Sequence, residues 1–233
     1  MNFESSREQV SLLDNKDPLR ECRDLFFYPK LEGIKNTIYL CGNSLGLQPK
    51  SVNTFLEKEL DIWSKRGVLG QHERWEKFHE DLAHPTSRLI GAKPSEVVIM
   101  NALTVNLHLL LASFYKPTKI RNKILIEEGA FPSDQYAVES QIRFHGYQPN
   151  QCLIEIKPRE GELCLRTEDI LDKINEFDSE IETILIGGVN YYTGQLMDMQ
   201  AITKCGKDVG AKVGFDLAHA IGNVDLYLSK WNV

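Results

Sequence analysis

The sequence predicts an α/β fold with a mainly parallel sheet flanked by helices. Two observations carry this reading. Short apolar runs of strand length recur through the chain, and helix-length stretches separate them. Strands alternating with helices in this way imply βαβ units and a largely parallel sheet. The runs are Val97–Met100, Lys123–Glu127, Cys152–Ile156, Thr183–Gly187 and Lys212–Asp216. Helices are expected over Thr104–Tyr115, over Ser133–His145, from Thr167 onward with Thr167 as its cap, and over Met199–Val209.

Upstream the pattern is weaker. Residues 1–35 are charged and read as an arm, 36–95 as a helical segment, and 96–233 as the sheet-bearing domain. Thr37–Cys41 is a strand candidate ending at Gly42. Pro49 suits the start of a helix through Lys65, because its fixed φ and missing N–H fit a first turn. Val52, Phe55, Leu56, Leu60 and Trp63 recur at helical spacing along it. A second amphipathic helix is expected over Trp75–Ile90, with Pro85 inside it.

Composition narrows the function classes. The 233 residues carry a net charge of −6 with both signs interspersed, which argues against a nucleic-acid backbone binder. Five scattered cysteines without C-x-x-C spacing argue against a disulfide framework or a structural zinc site, and suggest a reducing, cytoplasmic setting. The polar N-terminus lacks a signal-peptide core, and no apolar run approaches the ~20 residues of a membrane span.

In parallel sheets, ligands collect beyond the carboxyl ends of the strands, so the residues there are the first candidates. Thr104 opens a helix, where free backbone N–H groups and the helix dipole favour a phosphate; an ordinary N-cap is the alternative. Phe131, followed by Pro132, Ser133 and Asp134, could stack on a planar ring, or could be core beside a cap. Gly187 and Gly188 allow close backbone approach or merely a turn. Asp216 ends an apolar strand, and a buried carboxylate needs a partner. A pyridinium nitrogen would serve, with His219 supporting the carboxylate or touching a phosphate; a structural ion pair remains open. A metal site at Asp216 and His219 lacks a third local ligand. His72, His79 and His84 read as surface residues, His108 as a core histidine, and Met100, Met197 and Met199 as packing residues.

In this order, the segments resemble kynureninase, a pyridoxal-phosphate (PLP) enzyme of the aspartate-aminotransferase-like fold type I. The resembling stretches are Tyr39–Pro49, Met100–His108, Ala130–Asp134, Ile156–Gly161, Tyr192–Gln195 and Gly214–Ala220. The resemblance implies a PLP-binding large domain, with Leu103 and Thr104 at the phosphate, Phe131 on the ring, Pro132, Ser133 and Asp134 completing that loop, Asp216 at the ring nitrogen and His219 beside it. It implies substrate contacts from Asn43, Ser44 and His72. It also implies a homodimer that hydrolyses L-kynurenine or 3-hydroxykynurenine to L-alanine plus anthranilate or 3-hydroxyanthranilate, in tryptophan catabolism and NAD biosynthesis.

Two departures qualify it. The family often carries a hydroxyl residue where Gly187 stands. The family's Schiff-base lysine, its neighbouring tyrosine and the small C-terminal domain fall beyond Val233, and Lys230 lacks the lysine's sequence context. This chain is therefore expected to be a fragment or short form without hydrolytic activity of its own. A non-catalytic PLP-site remnant serving as an interaction partner is the alternative. A cysteine desulfurase is disfavoured, because those enzymes tend to carry glutamine at the position of His219.

Overall fold

The computed structural model describes residues 6–30, 32–33 and 37–233. The first five residues of the expected arm, and residues 34–36 around its expected end, lie outside the described residues. The chain divides into two compact units, Met1–Glu76 and Lys77–Val233.

Helices α1 (Arg7–Lys16), α2 (Val52–Arg66) and α3 (Leu69–Glu73) lie in the N-terminal unit. Ser6 caps α1, its hydroxyl accepting from the Gln9 N–H at 3.2 Å. The Trp75 indole donates to Glu59 at 2.8 Å and so ties the end of the unit to α2. An isolated antiparallel bridge joins Phe26 to Pro49. The expected strand Thr37–Cys41 does not form. Its Ile38 and Leu40 stand exposed, and no neighbouring segment among the described residues pairs with it.

The second unit carries the sheet. Helix α4 (Phe78–Ile90) contains Pro85 and ends on Gly91 in the left-handed conformation. A side chain could not replace that hydrogen, since a Cβ there would meet the Leu226 carbonyl at 2.4 Å. After α5 (Leu103–Phe114) come β1 (Lys123–Glu127), α6 (Pro132–Phe144), the short α7 (Pro149–Cys152), β2 (Leu153–Ile156) and α8 (Thr167–Phe177). The chain continues through β3 (Ile181–Gly187), α9 (Met199–Asp208), β4 (Lys212–Asp216) and α10 (Leu228–Trp231). Four expected strands and their helices are present, with ends within two residues of expectation. Thr167 begins α8 but does not cap it; Arg166 holds the cap position, without a side-chain bond.

All strand pairs are parallel, in the order β2-β1-β3-β4. Alternating side chains of β1 fill two cores. Leu125 packs with Ile170, Ile174, Ile184 and Ile202 on the α8–α9 face. Ile124 and Ile126 pack with Leu111, Val138 and Ile142 on the α5–α6 face. This double burial explains why the strands read as continuous apolar runs. Arg121 ties the amino ends together by donating to the Ile181 carbonyl at 2.6 Å and to the Val209 carbonyl at 2.8 Å.

The expected strand Val97–Met100 does not form. Its residues are half-buried or exposed, Met100 included, because the sheet ends at β2 and β4 and offers them no partner. His108, expected in the core, lies on the exposed side of α5. Met197 and Met199 are buried as expected, and His72, His79 and His84 are exposed.

Candidate functional site

Strand order reverses between β1 and β3: β2 lies on one side of β1, while β3 and β4 follow on the other. In open parallel sheets the crevice at such a switch point, beyond the carboxyl ends of the strands, is where ligands bind. Most residues singled out from the sequence converge there.

Asp216 is the last residue of β4 and is half-buried. One carboxylate oxygen accepts the Ala218 N–H at 2.8 Å, and its carbonyl accepts the Gly188 N–H at 2.7 Å. Both bonds fix its direction. Asp134, in the first turn of α6, is buried and hydrogen-bonds to Asp216, with the Ser133 hydroxyl donating to it at 3.2 Å. Burial first, and then the neighbouring Asp216, raise the Asp134 pKa to about 7. Asp134 therefore keeps its proton to a higher pH than an ordinary aspartate, and a cation beside the pair would be favoured.

Three aromatic rings stand beside this pair. Phe131, which precedes α6, is 42% exposed and therefore keeps a face for a ligand. Its ring lies 6.4 Å from the His219 ring and 5.2 Å from Tyr191, and the Tyr191 and His219 rings are 6.2 Å apart. Tyr191 projects from a loop that Asn190 organises, its side-chain oxygen accepting the N–H groups of Tyr192 and Thr193 at 2.9 Å each. Gln195 anchors the same loop by accepting the Leu165 N–H at 2.9 Å.

Leu103 and Thr104 form the first turn of α5. Thr104 is not the cap. Ala102 occupies that position without a side-chain bond, so the first N–H groups of the helix carry no side-chain acceptor there. Asn106 holds the approach to this turn, accepting from the Asn101 N–H at 3.1 Å and donating to its carbonyl at 2.9 Å. Leu103, Asp134 and Asp216 border one cavity of about 500 Å³, which continues along the open side of β4 past Val213 and Phe215. No group of three metal-ligating side chains occurs among the described residues. Also among these residues, no helix is long and apolar enough to cross a membrane.

Asn43, Ser44 and His72 belong to the N-terminal unit and are exposed. The Ser44 N–H donates to the Cys41 carbonyl at 3.0 Å, and His72 Nδ1 lies 2.8 Å from Glu76.

Sequence reasoning passed over three residues. Asn106 carries no local signal beyond its polarity within an apolar helix. Tyr191 was hidden in a loop read as a turn. Glu127 could have been found, since it ends a buried strand as Asp216 does, and it is only 4% exposed. Its carboxylate accepts the Gly187 N–H at 3.1 Å.

The donor set fits a flat, cationic ring bearing a phosphate. It offers a buried and a half-buried carboxyl group in want of a positive charge, an aromatic cluster at the neighbouring strand ends, and a helix start with available N–H groups.

No family model matches the chain. Curated proteins do. The chain is 52% identical to a kynureninase of Christiangramia forsetii over 236 aligned residues, covering 100% of this chain and 55% of that protein. It is 49% identical to the kynureninase of Nematostella vectensis, covering 98% of this chain and 52% of the relative. The human kynureninase is 49% identical, with 97% and 52% covered. The chain thus spans about half the length of the curated relatives it matches. Among solved structures, the cystine C–S lyase C-DES in complex with its reaction product cysteine persulfide superposes with a TM-score of 0.70 at 15% identity, covering 88% of this chain and 53% of that one. The same enzyme with glycine covalently linked to its PLP cofactor gives 0.70 at 14% identity. At these identities the structural likeness establishes the fold, an α/β architecture shared with PLP enzymes.

Proposed function

We propose that this chain, a homologue of the kynureninases along its whole length, is the cofactor-binding portion of a PLP-dependent enzyme that hydrolyses L-kynurenine or 3-hydroxykynurenine to L-alanine and the corresponding anthranilate. One observation carries the reading: identity near 50% to kynureninases of bacteria and animals extends over the entire chain, including the strand ends that meet at the switch point.

Each residue then has a task. Asp216, held by the Ala218 N–H, faces the ring nitrogen and keeps it protonated. Asp134 shares a hydrogen bond with Asp216 and restrains it. Phe131 covers one face of the ring, and His219 closes the edge beside it. The first turn of α5, with Leu103 and Thr104, receives the phosphate. Pro132 and Ser133 fix the loop that carries Phe131. Asn43, Ser44 and His72 contribute on the substrate side. When bound, the cofactor supplies an electron sink for charge developing at the substrate Cα. Hydrolysis also requires a lysine, an acid–base group and oxyanion stabilisation. The resemblance assigns the lysine to a segment outside these 233 residues. A cytoplasmic homodimer, working in tryptophan catabolism toward NAD, is the setting that accompanies this reading.

A chimera tests it. This chain replaces the matching part of the Christiangramia forsetii kynureninase, and hydrolysis of both kynurenines is followed by product absorbance. PLP-dependent turnover is expected, with a loss of at least about 100-fold for Asp216→Ala. A folded chimera that binds no PLP would reject the proposal. The 233-residue chain alone, given PLP, is expected to produce no anthranilate above a blank.

A further inference from the structure

The switch point contains a third carboxyl group to which the proposed chemistry gives no role. Glu127 closes β1 and is buried, and its two carboxylate oxygens lie 3.1 and 3.3 Å from the Gly187 nitrogen at the end of β3. This contact bridges the two strands between which the sheet order reverses. Gly187 stands opposite Asp216 in the β3–β4 register. One side chain therefore links the end of β1 to the residue that stands beside Asp216 in the sheet. The space is fitted to it, since a Cβ at position 187 would lie 3.0 Å from the nearer Glu127 oxygen. Glycine at this position leaves room for the carboxylate.

Glu127 is also electrostatically joined to the pair. Burial is the main cause raising its pKa; its own N–H and the Gly187 N–H oppose the shift, and the Asp216 charge adds to it. The groups acting on Asp134 are Asp216 and Ser133, and then Glu127. The half-buried His219 stands across the site against Phe131 and Tyr191.

We propose that Glu127 is a positioning residue for the Asp216 site: by accepting the Gly187 N–H it clamps the end of β3 that stands opposite Asp216. The clamp does not depend on the PLP reading.

The test is an NMR titration of the 233-residue chain, following side-chain carboxyl carbons and the Gly187 amide. In the wild type, the Gly187 amide shift is expected to follow the Glu127 titration. In Glu127→Gln, which keeps size and shape, the Asp134 midpoint is expected to fall from near 7, and the Gly187 response is expected to vanish. An unmoved Asp134 midpoint in a folded variant overturns the proposal. Should the variant fail to fold, the wild-type amide decides: a Gly187 shift that ignores Glu127 refutes the clamp. A second arm adds PLP, and a further fall of the Asp134 midpoint is expected. Failure to bind PLP, with the first arm intact, counts against the functional reading and leaves the role of Glu127 standing.

Discussion

Two apolar runs of similar composition met opposite fates. Thr183–Gly187 became the carboxyl-terminal part of β3, where Ile184 and Ile186 are fully buried in one core and Leu185 is buried in the other. Val97–Met100 stayed irregular, with Val98 and Met100 exposed. Both runs favour extended backbone. The difference lies in what stands beside each one. The first has β1 on one side and β4 on the other, so its N–H and C=O groups and both its faces are satisfied. The second has no neighbour within the sheet. Strand formation here is a property of the pair rather than of the segment, which is why β-propensity depends so strongly on context.

The sharpest way to probe this contrast is truncation on each side. Ile184→Ala, in the closed core, is expected to destabilise the chain by about 2–5 kcal/mol in urea unfolding. A loss well under that range would mean that β3 is less tightly enclosed than its burial implies. Next in size is overpacking. At Gly206 of α9 an added Cβ would lie 2.5 Å from Val213 and 2.7 Å from Ile184. Gly206→Ala is therefore expected to cost about 1–3 kcal/mol, measured the same way. At the opposite extreme, Val98→Ala is expected to change stability by less than about 0.5 kcal/mol. A larger effect would show that Val97–Met100 finds a partner in solution.

A second contrast sets the buried end of the sheet against ordinary surface carboxylates. Asp134 has its pKa raised to about 7 in the fold, against an ordinary value of 3.8. Between those limits the folded chain binds the extra proton. The stability this group contributes is thus fully present below about 4 and is lost as pH rises through about 7. In Asp134→Asn that part of the pH slope is expected to disappear from urea midpoints taken across the window. An unchanged slope would move the extra proton elsewhere in the site.

Much of the fold was legible because the helical and extended periodicities are local. Lys123–Glu127, Thr183–Gly187 and Lys212–Asp216 are bounded by turn residues and separated by helices long enough for crossovers, and all three formed strands. At the site, Asp216 was readable from its place at the end of an apolar strand, as were Phe131 and the start of α5. Glu127 obeyed the same rule and was passed over, because a terminal glutamate after Lys-Ile-Leu-Ile looks like the strand reaching solvent. What drew it inward was the Gly187 N–H, 60 residues away in sequence. Asn106 and Tyr191 could not have been found, since their roles depend on a backbone loop and on ring neighbours from other elements.

By itself, then, the sequence determined the element types, the parallel class of the sheet and the carboxylate that ends β4, because these follow from side-chain chemistry at fixed short spacing. Only the tertiary structure decided the strand order β2-β1-β3-β4, which apolar runs would be paired, and the meeting of Glu127, Asp134 and Asp216 at one switch point. Those outcomes depend on which distant segments remove water from one another, and burial of that kind has no local signature.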